Sequence, residues 1–428
     1  MDDNNLYTKR WKPKINVKQV AKSISELAEI GKQIIKNADE DFKAFYEDFE
    51  KCIGTDIKEC GVFIDNTRLR LIHRMIQYYS LAIGALCTQK LIPTNIIDDV
   101  YEKLKIILGH DDIKPQILRL TNPSKSVWPD QDGNIEKPKY DIINPEEFIL
   151  EEDREAWVFI HGMLYKALKR DGSDFSSFSS TERKSVFDFF ADFEKEAEIF
   201  KPSSHESERP DSSKIDIYLV NYDSEIRDED EEEIKIVLES YVLENGNFYL
   251  LIAAVYWKEM ERRAKNAAIH IKPFLEELVR KRNWNGRAIT HSLGCYVLAY
   301  AAEQIKEIRD PEVFGFQSWW CMNAAITSDS FSNTGEFKHA PRITPGSSKG
   351  IKQGTSVWYS LEDVVLMLLF PLSTCTTALG FTGLGINDNR WAKDLDITLV
   401  TDIHHGPHDE YMKRLGHIIR EALGTPNR

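Results

Sequence analysis

The chain has 428 residues, with 55 Lys and Arg against 69 Asp and Glu, for a formal charge of −14 at neutral pH. Hydrophobic residues make up 42% and charged residues 29%, which suits two or three folding units with sizeable cores and excludes collagen-like, coiled-coil-only and wholly disordered chains. The negative balance argues against a surface that coats DNA or RNA, since such surfaces neutralise phosphates with Lys and Arg.

The opening MDDNNLYTKRWKPK has no apolar core of a secretory signal. Six cysteines (52, 60, 87, 295, 321 and 375) show no metal-like spacing, so a cytoplasmic protein with reduced thiols is expected. Residues 17–53 place Val20, Ile24, Leu27, Ile30 and Ile34 three and four apart, which predicts a helix. Residues 65–89 and 95–108 continue that pattern. Residues 1–125 are therefore expected to form an all-helical N-terminal domain. Four prolines and an Asp-Gly turn signal between 121 and 146 mark residues 126–154 as a linker or a first pair of short strands.

From residue 155 the rhythm changes. Strands are predicted at 157–162, 215–224, 286–292, 314–325, 355–360 and 396–403. Helices are predicted at 181–200, 249–281, 293–308 and 410–423, the strands and helices alternating for most of the run. Such alternation predicts an α/β fold, a mostly parallel sheet with helices on both faces, over 155–428. Residues 203–214 read as a polar loop and the acidic run 227–235 as a solvated segment. Residues 364–386 carry no charge over 23 positions, nominally enough to cross a bilayer. Strong apolarity stops at 370, however, and a Pro-, Gly-, Ser- and Thr-rich stretch follows. A buried, pocket-lining segment is expected rather than a transmembrane span.

The sharpest chemical signal is Thr290-His291-Ser292-Leu293-Gly294, set between a predicted strand and a predicted helix. A serine on such a turn is held in a strained backbone that lifts its hydroxyl above the sheet, and the positions two before and two after must be small. Gly294 fits; Thr290 is bulkier than the usual glycine. A capping serine on an ordinary turn is the plain alternative. His161-Gly162-Met163 closes the first strand of the series, where a backbone N–H can serve an oxyanion together with the N–H after the nucleophile. Those donors would be Met163 and Leu293. The acid candidate is Asp363, just past the 355–360 strand, with Glu362 and Asp329 as alternatives. Its task would be to hold a histidine in one tautomer and to stabilise its cation. Three histidines fall within 404–408, ahead of the last helix. His408 is preferred as base, His405 is the alternate, and His404 is read as structural. The same cluster would suit zinc, but the order Ser, Asp, His favours the hydrolase.

These residues stand among seven short motifs in sequence: VFIHG (158–162), YDS (222–224), ITHSLGCYV (289–297), NAAITSDSF (323–331), SLEDVVL (360–366), ALGFTG (378–383) and the HHGPHDEY loop. On them, residues 155–415 resemble the α/β-hydrolase superfamily, in particular a bacterial, lipase-like branch of serine hydrolases. The resemblance implies Ser292 as nucleophile, Asp363 as acid and His408 or His405 as base, with no metal or organic cofactor. The expected substrate is a small-molecule or lipid ester, and the 364–386 segment would wall its acyl pocket. Any protein partner is expected at the helical N-terminal domain. Two other functions remain in play: a catalytically silent scaffold acting through that partner, and a metal-dependent hydrolase built on His404, His405 and His408.

Overall fold

The computed structural model describes residues 98–103, 105, 114–163, 185–202, 211–224, 247–282, 285–310, 312–346, 352–360, 363, 365–366, 370–371, 374, 376–384, 391–397 and 408–424. The helices expected at 17–53 and 65–89 lie outside them. Residues 98–103 are helical.

The elements run β1 (Gln116–Leu120), α1 (Pro123–Val127), β2 (Tyr140–Ile143), β3 (Glu155–Ile160), α2 (Val186–Ala197), β4 (Ile215–Asn221), α3 (Asn247–Arg280), β5 (Arg287–His291) and α4 (Leu293–Glu303). They continue with β6 (Ser318–Met322), β7 (Gly354–Tyr359), α5 (Leu379–Thr382), β8 (Ala392–Asp396) and α6 (His408–Leu423). Among the described residues the strands form one eight-stranded sheet, in the order β2-β1-β4-β3-β5-β6-β7-β8. The strands β4, β3, β5, β6, β7 and β8 pair in parallel, while β1 lies antiparallel to both β4 and β2.

Side-chain alternation explains the layers. Ala156, Val158 and Ile160 of β3 join a core with α3 and α4 on one face. Trp157 and Phe159 point into a second core with α2 and α6 on the other. A strand buried on both faces has no polar side, so β3 reads as one apolar run. The second face is aromatic: Phe159 meets Phe189, Phe190 and Phe193 edge-on at centroid distances of 5.1–6.1 Å. Helix α6 covers this face with Met412, Leu415, Ile418, Ile419, Ala422 and Leu423, whose spacing follows the helical repeat.

Two boundaries differ from the sequence reading. The sheet begins at Gln116, inside the stretch assigned to the helical domain. Five residues of strand are too few to break a helical pattern visibly, and only pairing with β4 reveals them. β2 lies in the 126–154 connection. Among the described residues the last strand is Ala392–Asp396; of the strand expected at 396–403, residues 398–403 lie outside the described residues. β8 has no apolar run to announce it, because AKDLD is charged; among the described residues it pairs with β7. In the uncharged 364–386 stretch, Leu366, Phe370, Ala378 and Phe381 are buried in a small apolar cluster with Trp257 and Ala325. Among the described residues no helix is long and apolar enough to cross a membrane.

Candidate active site

Ser292 is the single residue between the end of β5 and the start of α4. Its backbone has φ 53° and ψ −120°, a region that L-residues other than glycine rarely adopt. Three hydrogen bonds hold it there. Its N–H donates to Met322 O at 2.9 Å, and its carbonyl accepts from Cys295 N and Ala325 N, both at 3.1 Å. The side of the turn is closed by β3. A Cβ on Gly294 would come within 2.3 Å of Ile160 O and 2.5 Å of His161 O. A Cβ on Gly162 would come within 2.7 Å of Ser292 Cβ. Both glycines are therefore demanded by close approach, and the 161–163 turn sits against the serine.

Thr290, the departure from the small-residue pattern, is accommodated by polarity. It is fully buried, but its hydroxyl accepts from Trp319 Nε1 at 2.8 Å, donates to Trp320 O at 3.3 Å and lies 3.1 Å from Cys295 Sγ. Cys295 and Cys321 are buried free thiols.

Leu293 opens α4, so its N–H is among the first four of the helix that have no acceptor within it. Met163 is half-buried and packs against both the α3–α4 core and the small apolar cluster. The loop carrying it is stiffened by His161, whose Nδ1 lies 2.9 Å from Gly162 O and 3.4 Å from Ser224 Oγ. The His161 ring stacks on Tyr222 at 4.4 Å between centroids, and the Tyr222 hydroxyl donates to His161 O at 2.9 Å. Burial lowers the His161 pKa to about 4, which keeps the imidazole neutral near pH 7, and pushes the Tyr222 phenol well above its ordinary value.

Asp363 is completely buried beyond β7. Its Oδ1 accepts from Leu366 N at 2.7 Å and its Oδ2 from Asn323 Nδ2 at 3.3 Å. Asn323 follows Met322, the residue whose carbonyl holds the Ser292 amide, and it has φ 46°. Its own N–H donates to Trp358 O at 2.8 Å, and Gly380 N donates to the neighbouring Ala324 O at 2.9 Å. The ends of β5, β6 and β7 are thus laced into one surface. Asp329, by contrast, is exposed on the turn after β6, and Glu362 lies outside the described residues. Of the acid candidates described, Asp363 alone is buried and held.

Ser292, Gly162, Met163 and Leu293 are brought together directly, and Asp363 reaches the same edge through Asn323. His408 is the first residue of α6; His404 and His405 lie outside the described residues, as does the side chain of His408. Among the described residues no group of three or more His, Cys, Asp or Glu is placed to hold a metal. Sequence reasoning missed the roles of Asn323 and Tyr222. Both stand in motifs quoted above, but a carboxamide or phenol after a strand has no distinctive pattern until its partner is known.

No known protein-family profile and no curated protein matches the chain. Among solved structures, similar ones include an orthorhombic crystal form of acylaminoacyl peptidase from Pyrococcus horikoshii, at TM-score 0.29 and 14% identity over 76% of this chain and 44% of that one. The uncomplexed form of that peptidase follows at TM-score 0.28 and 16% identity, with coverages of 76% and 44%. An esterase/lipase from an uncultured bacterium is similar at TM-score 0.24 and 10% identity, over 80% of this chain and 98% of that one. This chain spans less than half the length of the peptidase chains.

Proposed function

We propose that this protein is a serine hydrolase of the α/β-hydrolase kind, cleaving a carboxylic ester through an acyl-enzyme. The observation that carries the reading is the backbone of Ser292, with φ 53° and ψ −120° at a strand-to-helix turn between two glycines that admit no side chain. A strained conformation held by three backbone hydrogen bonds and two packing constraints points to a use for the side chain it presents.

In this reading His408, with His405 as the alternate, takes the Ser292 proton as the hydroxyl oxygen attacks the acyl carbonyl. The Met163 and Leu293 amides receive the developing oxyanion, where preorganised donors are worth most. The histidine then protonates the leaving group, and water, activated by the same histidine, releases the acid. Asp363 orients the imidazole and stabilises its cation. Parallel β5, β7 and β8 would deliver serine, acid and histidine to one edge in chain order. The apolar cluster touches the site at three points: Ala325 donates to Ser292 O, Leu366 donates to Asp363, and Met163 packs against it. That favours an uncharged acyl group, including a lipid ester.

The test is labelling by a fluorophosphonate probe. Wild type is expected to react, S292A not at all, and only one of H408A and H405A is expected to lose labelling. No reaction of the folded wild type would favour the silent scaffold.

A further inference from the structure

Helix α3 carries a buried set of charges that this reaction does not use. Arg263, 5% exposed, donates from Nη1 to Asp223 Oδ2 and from Nε to Glu259 Oε1, each at 2.8 Å. Glu259 is fully buried. It also accepts from Arg262, at 2.6 Å on Oε1 and 2.9 Å on Oε2, and from the Tyr101 hydroxyl at 3.3 Å on Oε2. Two guanidinium groups balance two carboxylates. Even so, withdrawing charges from water is expensive, and well-packed apolar residues often hold a helix on a sheet equally well. Where the set lies gives it a further use.

Asp223 directly follows Tyr222, just beyond the end of β4. Tyr222 holds His161 twice, by its hydroxyl on the His161 carbonyl and by its ring on the imidazole. His161 Nδ1 in turn meets Gly162 O at 2.9 Å. That oxygen and Met163 N belong to one planar trans peptide, so fixing the carbonyl on one side aims the N–H to the other. A continuous path of contacts therefore runs from Arg263 through Asp223, Tyr222 and His161 to the Met163 amide.

We propose that Arg263, with Asp223 and Glu259, is a positioning residue for the Met163 oxyanion donor. The inference rests on the serine-hydrolase reading. Arginine suits the task because its rigid fork bonds two carboxylates at once, whereas lysine brings one point charge. The donor is needed chiefly in the transition state, so disturbing it lowers the maximal rate and leaves binding little changed.

The experiment uses the full chain and the rate of Ser292 phosphonylation by the fluorophosphonate probe, resolved into a maximal rate and a half-saturating concentration. Variants are R263Q, R263K, D223N, Y222F and the R263Q/Y222F double, each with a melting temperature. R263Q is expected to lower the maximal rate about tenfold to a hundredfold, since misplacement by about 1 Å has effects of that size. The half-saturating concentration should stay within about twofold, on the same differential-binding argument. D223N should fall in the same sense, R263K should recover part of the rate, and the double variant should be no slower than the slower single. An unchanged maximal rate in R263Q overturns the proposal. So do multiplicative effects in the double, or a loss that follows melting temperature with R263K as slow as R263Q. If R263Q does not fold, D223N decides alone, because it leaves the Arg263–Glu259 pair intact. A wild type that is not phosphonylated at Ser292 removes the underlying reading; one that reacts normally while the variants behave as independent removes only this inference.

Discussion

At Ser292 the backbone works against the residue it carries. A non-glycine residue in such a region costs about 1–3 kcal/mol, and glycine would pay much less of it. S292G is therefore expected to be more stable than S292A by about 1 kcal/mol, read as a higher urea midpoint, though neither variant should label. Equal midpoints would mean that the turn is unstrained. His161 makes a second prediction. Its folded pKa of about 4 lies below the ordinary 6.5, so below pH 6.5 the unfolded chain takes up a proton that the folded one refuses. Stability then falls as pH drops from 6.5 toward 4, by about 2 kcal/mol at pH 5 from this residue. Denaturation at pH 7.5 and pH 5 should show wild type losing about that much more than H161F. The serine and its glycine were legible in sequence as a pentapeptide. Asn323 was not, because its function lies in meeting a carboxylate 40 positions away.

Elements meet at the Ser292 turn with almost no clearance. G294A would drive a methyl against the backbone carbonyls of Ile160, the last residue of β3, and of His161, which cannot rotate away. The expected cost is about 3 kcal/mol or more, seen in the denaturation midpoint. G346A, whose added carbon would sit 3.6 Å from the Trp391 ring, should cost little and serves as the control. Strands β3 and β6 were readable because burial on both faces makes them near-continuous apolar runs. β1 and β8 were not. The first is short and follows a helical pattern, and the second is a charged strand that, among the described residues, pairs with β7. In both, backbone pairing supplies what the side chains do not announce.

The molecule as a whole is a sheet with two unlike cores, aromatic under α2 and α6 and largely aliphatic under α3 and α4. Parallel order places the turn after β5 and Asp363 after β7 at one edge, while α3 ties the same edge to residues 98–103 through Tyr101 and Glu259 and through Lys258 and Asp98. Sequence alone determined the α/β class, the strand-to-helix turn that carries Ser292 and its glycine, and the His161-Gly162-Met163 turn. Those rest on local patterns, namely periodicity, small residues at a tight turn and polar residues at strand ends. Tertiary structure alone decided the strand order, the burial of Asp363 against the exposure of Asp329, and the set of Arg263, Asp223 and Tyr222 behind the 161–163 turn. Each of these depends on groups far apart in the chain whose pairing has no local pattern, because burial and hydrogen-bond reach exist only once the chain has folded.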